Sequence, residues 1–153
     1  MMTSSVSIRA TPRFARAAEA STVFHILWSC RREIPLKDSF NSKNQLQRIR
    51  DQCRSKKLLV VGSGGDIFGV MLLRANEIFY LAVTESYRRR GIARSLIAYA
   101  KKRWPKLTAK TREDNARTIA LLEKESFYHD PMALVLDPTW KAFAWIQCAR
   151  RKR

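Results

Sequence analysis

The stretch YRRRGIARSL, Tyr87–Leu96, places three arginines and a glycine directly before a segment with helical periodicity. Apolar residues alternate before this stretch, as in a strand, and after Gly91 they recur at three- and four-residue intervals until Pro105 ends the pattern. A helix N-terminus offers unpaired backbone N–H groups and a partial positive charge, and Gly91 lets a ligand come close to the backbone. This order predicts a phosphate or pyrophosphate site, whereas three arginines without such a context are usually a solvated surface.

The chain has 153 residues, a length that favours a single domain over residues 1–153. Its 30 basic and 13 acidic residues give a net charge of +17, which attracts polyanions and repels polycations. Three cysteines without a CxxC spacing favour reduced thiols and a cytoplasmic location, although the arginine- and serine-rich N-terminus also resembles a mitochondrial transit peptide. No apolar run approaches the roughly 20 residues of a membrane span, and no histidine or cysteine has the spacing of a metal ligand. We therefore expect no membrane partner and no metal.

Changes in the period of the apolar residues predict the order of the elements. Val6–Ala10 alternates as a strand, Pro12 opens a helix that continues to Cys30, and a second helix covers 38–57. Three apolar runs within 57–86 predict antiparallel strands joined by tight turns, so the glycines between 62 and 69 mark a hairpin rather than a dinucleotide-binding loop. The remaining predictions are a helix from Gly91 to Trp104, a strand over 106–111, a helix to about Glu125 with Asp114 as its N-cap, a strand over 132–137, and a basic C-terminal helix from about Thr139.

Three segments resemble the conserved motifs of the GCN5-related N-acetyltransferases, the GNAT superfamily. RRRGIA, Arg88–Ala93, fits the signature Q/R-x-x-G-x-G/A that follows a strand in this family. NEIFYLAVTES, Asn76–Ser86, is similar to the central strand of the family, and NARTIALLEKESF, Asn115–Phe127, is similar to its second conserved segment. The resemblance implies the GNAT fold, an α/β fold whose mixed, mostly antiparallel central sheet is flanked by helices. It also implies acetyl-CoA as the co-substrate.

The resemblance assigns the residues that would hold acetyl-CoA. Backbone groups of the central strand would pair with pantetheine, and the arginine-rich turn with the first helical turn would hold the pyrophosphate. Asn115 would face the same ligand, and its second interpretation, as a helix N-cap, is compatible with that role. The predicted residues are Leu81, Ala82, Val83, Arg88, Arg89, Arg90, Gly91, Ile92, Ala93, Arg94, Ser95 and Asn115.

Glu77 is the candidate general base. It stands where the histone-acetylating branch of the family, with the strand pattern E-x-x-F-L-A-V, has its catalytic glutamate. Strand alternation predicts that Glu77 shares one face of the strand with Phe79, Leu81 and Val83. The alternative interpretation is an exposed glutamate at the end of a strand, just after a turn.

Two residues depart from the family pattern. Leu122 stands seven residues after Asn115, where the family has the tyrosine that protonates the departing thiolate. A thiol with a pKa of roughly 8.5 is a tolerable leaving group near neutral pH, so this departure weakens catalysis without excluding it. Ser126 stands where the family has glycine, and we expect it to cost about 1 kcal/mol at the helix C-terminus or to change the turn.

The motifs and the charge together favour an acetyl-CoA-dependent N-acetyltransferase that acts on a primary amine. A net charge of +17 disfavours cationic acceptors, so the predicted acceptor is anionic or zwitterionic, or is an amine carried on RNA. Two alternatives remain open. One is a toxin that acetylates charged tRNA, and the other is a GNAT-like module with weak or no catalysis that binds nucleic acid through its basic surface. We expect the C-terminal helix to pack on its own domain or on a second copy in a homodimer, and the alternatives are nucleic-acid binding through its basic end and membrane contact.

Overall fold

The computed structural model describes residues 11–31, 43–63, 65–133, 135 and 138–148, so the predicted strand over Val6–Ala10 lies outside the described residues. The strands are β1 (Arg13–Phe14), β2 (Leu58–Ser63), β3 (Asp66–Arg74), β4 (Glu77–Val83), β5 (Lys106–Arg112), β6 (Tyr128–His129) and β7 (Trp140–Ile146). The helices are α1 (Ala20–Ser29), α2 (Lys43–Arg54), α3 (Ile92–Arg103) and α4 (Ala116–Lys124). None of the described helices is long and apolar enough to cross a membrane.

The strands form one sheet in the order β1-β2-β3-β4-β5-β7-β6. Neighbours from β1 to β4 are antiparallel, which confirms the three consecutive strands and the hairpin at the glycines. β5 runs parallel to β4, and β7 is antiparallel to both β5 and β6. The sheet is therefore mixed and mostly antiparallel, as the resemblance implied.

Two apolar layers cover the two sides of the sheet. α1 and α2 pack on one side, against strands β2, β3 and β4 alone, with Val23, Leu27, Ile49, Leu58, Val60, Val70 and Leu72 in this layer. α3 and α4 pack on the other side, where their layer extends from β2 to β7 and contains Leu59, Met71, Leu96, Ile97, Leu107, Leu122 and Phe143. Strands β2 and β3 lie between the two helical layers and are buried on both faces, which explains why they are continuous apolar runs in the sequence.

A β-bulge in β4 overturns the predicted distribution of its side chains. Leu72 pairs with Tyr80 whereas Leu73 pairs with Ile78, so Phe79 is an extra residue in β4. Phe79 and Tyr80 consequently both pack in the α1/α2 layer, and Leu81 packs in the α3/α4 layer. The prediction that Glu77, Phe79, Leu81 and Val83 share one face was therefore wrong, because strict alternation does not survive an inserted residue.

The predicted C-terminal helix was also wrong. Trp140–Ile146 is strand β7, which pairs with β5 from Arg112 to Lys106. Its buried residues Ala142, Phe143 and Ala144 lie in the middle of the strand, which is consistent with pairing on both edges, to β5 and to β6. The segment is an internal strand because its backbone pairs with β5 on one edge and with β6 on the other.

Two further boundaries differ from the predictions. The first helix begins at Ala20 rather than after Pro12, because Arg13–Phe14 pairs with β2 as β1 and a 3₁₀ turn over Ala17–Glu19 follows it. The predicted strand over 132–137 lies partly outside the described residues, and Met132 within it belongs to a turn. α3 and β5 lie within one residue of their predicted bounds, and α4 lies within two. The second helix ends at Arg54, three residues before its predicted end, and its predicted start lies outside the described residues.

Candidate functional site

The sheet opens between β4 and β5. In the described residues these strands pair through Glu77–Thr108 and Ile78–Ala109 and not further along β4. The N–H group of Thr84 donates to the carbonyl oxygen of Phe68 in β3 at 2.9 Å. Backbone groups of a strand point alternately to its two sides, so the N–H groups of Leu81 and Val83 point away from β3 and into this gap. An extended ligand with amide groups can pair with such a strand edge.

The arginine-rich turn lies beside the same gap and begins helix α3. Arg89 and Gly91 have left-handed backbone conformations, with φ of 62° and 80°. The N–H group of Ser95 donates to the carbonyl oxygen of Gly91 at 3.0 Å, so the N–H groups of the preceding three residues have no acceptor within the helix. A Cβ atom added to Gly91 would meet no atom within 4 Å, so the backbone conformation rather than crowding requires glycine there. These features together form a site suited to phosphate.

The four arginines of this region have different roles. Arg88 turns inward, where its Nε donates to the carbonyl oxygen of Val83 at 3.2 Å and its Nη2 contacts the Sγ of Cys30 at 3.8 Å. Arg90 lies over the ring of Tyr87, 5.1 Å from its centroid. Arg94 forms an ion pair with Glu125 at 3.4 Å, and Arg89 is exposed. Arg88 therefore fastens the turn to the end of β4, and the charges of the other three are at the surface.

The other predicted ligand residues act through their backbone or are engaged within the fold. The side chain of Ile92 is buried against Gly69. The backbone of Ala82 pairs with Val70 of β3, and its side chain is buried in the α1/α2 layer. The hydroxyl of Ser95 donates to the carbonyl oxygen of Ile92 at 2.7 Å. Ala93 is half-buried in the first turn of the helix.

Asn115 is the N-cap of α4. Its Oδ1 accepts a hydrogen bond from the N–H group of Thr118 at 3.2 Å. This confirms the capping interpretation, and it places the cap one residue after the predicted Asp114. The further role of Asn115 toward a ligand stays a prediction.

Glu77 lies on the opposite side of the sheet from α3. It is half-buried at the first position of β4, where it pairs with Arg74 of β3 and Thr108 of β5. Residues paired across neighbouring strands share a face, and the Phe79 that follows two residues later packs in the α1/α2 layer. The candidate base and the arginine-rich turn therefore approach the gap between β4 and β5 from opposite faces of the sheet.

Leu122 is 2% exposed and packs within the α3/α4 layer. Its position in α4 is that of the tyrosine in the family motif, and its side chain fills the core beside Phe127. Leucine has no proton to donate, so α4 offers no general acid at this position.

The sequence interpretation missed a cleft between α1 and the end of β4. The cleft has a volume of about 600 Å³. Thr22, His25 and Ser29 of α1 line one wall, and Asp66 and Thr84 are among the residues of the other wall. The three α1 residues recur at intervals of three and four, so they form a polar stripe opposite the apolar face of this helix. This stripe is the sequence pattern from which the cleft could have been predicted. No group of three metal-ligating side chains occurs in the described part of the chain.

Comparisons with known proteins agree with this geometry. Residues 20–127 match the model of the acetyltransferase (GNAT) family. A GNAT-family acetyltransferase from Bacillus cereus has 17% identity and a TM-score of 0.71, over 92% of this chain and 99% of that one. The yncA protein of Salmonella typhimurium, in a structure that holds its cofactor acetyl-CoA, has 15% identity and a TM-score of 0.70, over 95% of this chain and 98% of that one.

The ribosomal-protein-S18-alanine N-acetyltransferase of Escherichia coli has 19% identity and a TM-score of 0.65, over 94% of this chain and 98% of that one. At such identities the likeness concerns the fold. No match was found among curated protein sequences.

Proposed function

Because the chain belongs to the acetyltransferase (GNAT) family, we propose that it is an N-acetyltransferase that transfers an acetyl group from acetyl-CoA to a primary amine. Acetyl-CoA is the co-substrate of this family. The observation that carries the proposal is the edge of β4 at Leu81 and Val83, which pairs with no described strand and lies beside the N-terminus of α3. The edge of β4 can pair with the amides of pantetheine, and the neighbouring N-terminus of α3 can bind a pyrophosphate.

Different residues around the gap bind different parts of acetyl-CoA. When it is bound, acetyl-CoA supplies an acetyl group activated as a thioester. The N–H groups of Leu81 and Val83 pair with its amides, and an N–H group of this edge stabilises the negative charge that develops on the reacting carbonyl oxygen. The first turn of α3, with Arg89 and Arg90, holds the pyrophosphate.

Glu77 accepts the proton of the acceptor amine through a water molecule. A water relay fits the structure because Glu77 lies four residues before Leu81 and on the opposite face of the sheet. The amine nitrogen bonds to the acetyl carbon, the carbon–sulfur bond breaks, the amine proton passes to Glu77, and the sulfur leaves as a thiolate. Since Leu122 has no proton to donate, water protonates the thiolate.

The acceptor is anionic or zwitterionic, and the reaction takes place in the cytoplasm. The net charge of +17 would repel a cationic amine. Cys30, Cys53 and Cys148 are all free thiols, which supports a reducing compartment.

Ligand-induced stabilisation tests the proposal with a matched pair of variants. Acetyl-CoA at about 100 times its dissociation constant adds about 2.7 kcal/mol to the free energy of unfolding, which raises the melting temperature by several degrees. Gly91→Glu puts bulk and negative charge where the pyrophosphate binds, so it should remove this rise. Gly65→Glu is the control, since Gly65 is also left-handed, with φ of 89° and no atom within 4 Å of an added Cβ, but lies in the β2–β3 turn.

The expected result is a rise in melting temperature for the wild type and the Gly65 variant but not for the Gly91 variant. The absence of a rise in the folded wild-type protein would rule out acetyl-CoA as the donor. Equal rises in both variants would show that the ligand binds away from the N-terminus of α3.

A further inference from the structure

The sheet has a face that no described helix covers. α1 and α2 pack against β2, β3 and β4, and their apolar layer contains no residue of β5, β6 or β7. We call the side of these last three strands on which no described helix packs the open face. Cross-strand pairing places on it Lys106, Thr108, Lys110 and Arg112 of β5, Trp140, Ala142, Ala144 and Ile146 of β7, and Tyr128 of β6.

Three cations lie in a row along this face. Lys106, Lys110 and Arg112 are exposed and point to the same side of β5 because their positions differ by even numbers. Neither lysine has an ion-pair partner among the described residues. Arg112 pairs with Asp114 at 3.2 Å, but both side chains are more than half exposed, so this pair is weak. The row therefore presents positive charge to solvent over about 20 Å, the length of six residues of strand.

Two aromatic residues lie on the same face as these cations, the half-buried Trp140 and the exposed Tyr128. Trp140 pairs with Arg112, and Tyr128 pairs with Ala144 and is 47% exposed. Between them, Ala142 and Ala144 are 4% and 1% exposed, so a ligand would contact the surrounding basic and aromatic side chains rather than these two alanines. Basic residues together with exposed aromatic rings on the strands of a sheet are what single-stranded nucleic acids bind, because phosphates need cations and bases need surfaces on which to stack.

The candidate base Glu77 lies at the border of the open face. Glu77 pairs with Thr108, which lies between Lys106 and Lys110 on the same side of β5. Among the strand residues on this side of β4 to β7, Glu77 is the single carboxylate. An anionic chain along β5 would therefore pass directly beside the group that accepts the proton of the amine.

We propose that the open face binds single-stranded RNA and that this RNA carries the acceptor amine, an inference that rests on the proposed function. A small anion would need one or two cations near Glu77, whereas the row continues to Arg112 at the far end of β5. Trp140 and Tyr128 favour a strand with bases over an acidic peptide. RNA is the nucleic acid that carries an aliphatic amine, as an aminoacyl ester on its terminal ribose, whereas the amino groups of bases are poor nucleophiles.

Binding can be measured separately from catalysis, by fluorescence anisotropy of a labelled oligoribonucleotide of about 12 nucleotides. The double variant Lys110→Glu with Arg112→Glu should bind at least about 10-fold more weakly, and the slope of log K against log salt should fall by about 1.4. The control is Lys102→Glu with Lys124→Glu, which changes the net charge equally at exposed positions of α3 and α4. Its affinity should change by less than about 3-fold at physiological salt, because distant charges are screened.

Stacking and catalysis give two further readouts. Tyr128→Ala should weaken binding by about 5-fold or more through lost stacking, and a polyglutamate of equal charge should compete poorly.

Thiol release from acetyl-CoA should be at least about 10-fold faster, as kcat/KM, with an aminoacyl-tRNA than with the same free amino acid, and the Lys110, Arg112 double variant should lose this preference.

Each contrary result overturns the inference. These results are equal losses in the two double variants, effective competition by polyglutamate, no effect of Tyr128→Ala, and equal turnover of the free amino acid. If acetyl-CoA raises the melting temperature but the protein does not bind RNA, the proposal of an RNA-binding face is wrong, whereas the proposed acetyltransferase activity is unaffected. The rise in melting temperature also verifies that each variant is folded.

Discussion

The two halves of the sheet differ in what covers them. Strands β2 to β4 lie between two helical layers, and the central residues of β2 and β3 are almost fully buried. Strands β5, β7 and β6 are covered by α3 and α4 on one face and carry cations and aromatic rings on the other. The first half forms the core of the protein. The second half belongs to the same hydrogen-bonded sheet, which holds the side chains of its other face in fixed positions. A covered strand must be apolar on both faces, whereas a strand covered on one face has one face available for a ligand.

The candidate site lies where the two halves meet. Two residue pairs, Glu77–Thr108 and Ile78–Ala109, join β4 to β5 before the strands separate. The separation leaves the N–H groups of Leu81 and Val83 without a partner in a described strand, and the bulge at Phe79 turns Leu81 toward the α3/α4 side. A continuous sheet would have paired these N–H groups and left no room for a ligand.

The largest expected effect tests the difference in burial directly. Leu72→Ala, in the covered half, removes a side chain that is 1% exposed and should lower the free energy of unfolding by about 2 to 5 kcal/mol. Ile146→Ala, in the half with the open face, removes a side chain that is 52% exposed and should change it by about 0.5 kcal/mol or less. Urea denaturation at constant pH measures both. Similar losses for the two variants would mean that the open face is covered in solution.

The next effect concerns catalysis at the border of the two halves. Glu77→Gln should lower kcat by about 10²-fold or more at neutral pH, because the amide cannot accept the proton of the amine. It should leave the rise in melting temperature with acetyl-CoA unchanged, since Glu77 lies on the face opposite the N-terminus of α3. Glu113→Gln, at an exposed position after β5, is the control and should retain full activity. Identical rates for the wild type and Glu77→Gln from pH 6 to 9 would make Glu77 a structural residue.

A smaller effect is expected where β1 joins the covered half. Arg13 makes two hydrogen bonds of 2.7 Å to Glu19, and these bonds lower the pKa of Glu19 from 4.5 to about 2. The folded pKa is depressed, so the stabilisation is complete above pH 4.5 and is lost as the pH falls toward 2. Because Arg13 is partly exposed, solvent limits the contribution to about 1 kcal/mol.

The unfolding free energy of the wild type and of Glu19→Gln, followed from pH 7 to pH 2.5, measures this contribution. The difference between them should be largest at pH 7 and should narrow below pH 4.5. A difference that is constant over this range would mean that the ion pair contributes nothing.

The elements that the sequence predicted well are those with local causes. The hairpins of β2 to β4 follow from turn residues between apolar runs, and α3 follows from Gly91 and Pro105. Asn115 was recognisable as a cap because its side chain acts on its own helix, through the N–H group of Thr118. The motif of the arginine-rich turn likewise contains its glycine and its helix within a few residues.

The elements that the sequence predicted poorly depend on distant partners. Strand β7 has a helix-like distribution of apolar residues, and pairing with β5, some 30 residues earlier in the chain, decides its conformation. The bulge at Phe79 depends on the register of β3. Arg88 was indistinguishable from its neighbours in the sequence, and its inward position depends on Val83 and on Cys30 of α1.

The smallest expected effect concerns the turn that leads from α4 into β6. Ser126 has a left-handed conformation with φ of 69°, its N–H group donates to Glu123, and the N–H group of Phe127 donates to Leu122. These two bonds form a Schellman motif, in which glycine is the usual left-handed residue because a Cβ atom strains that conformation.

Ser126→Gly should therefore raise the free energy of unfolding by about 0.5 to 1 kcal/mol, which is the strain relieved less the entropy that glycine adds to the unfolded chain. Ser126→Ala keeps the Cβ atom and should show no gain. Urea midpoints of the three proteins separate the two contributions. If the glycine and alanine variants are equally stable, Ser126 is not strained, and the turn into the half with the open face tolerates a side chain as well as the turns of the covered half do.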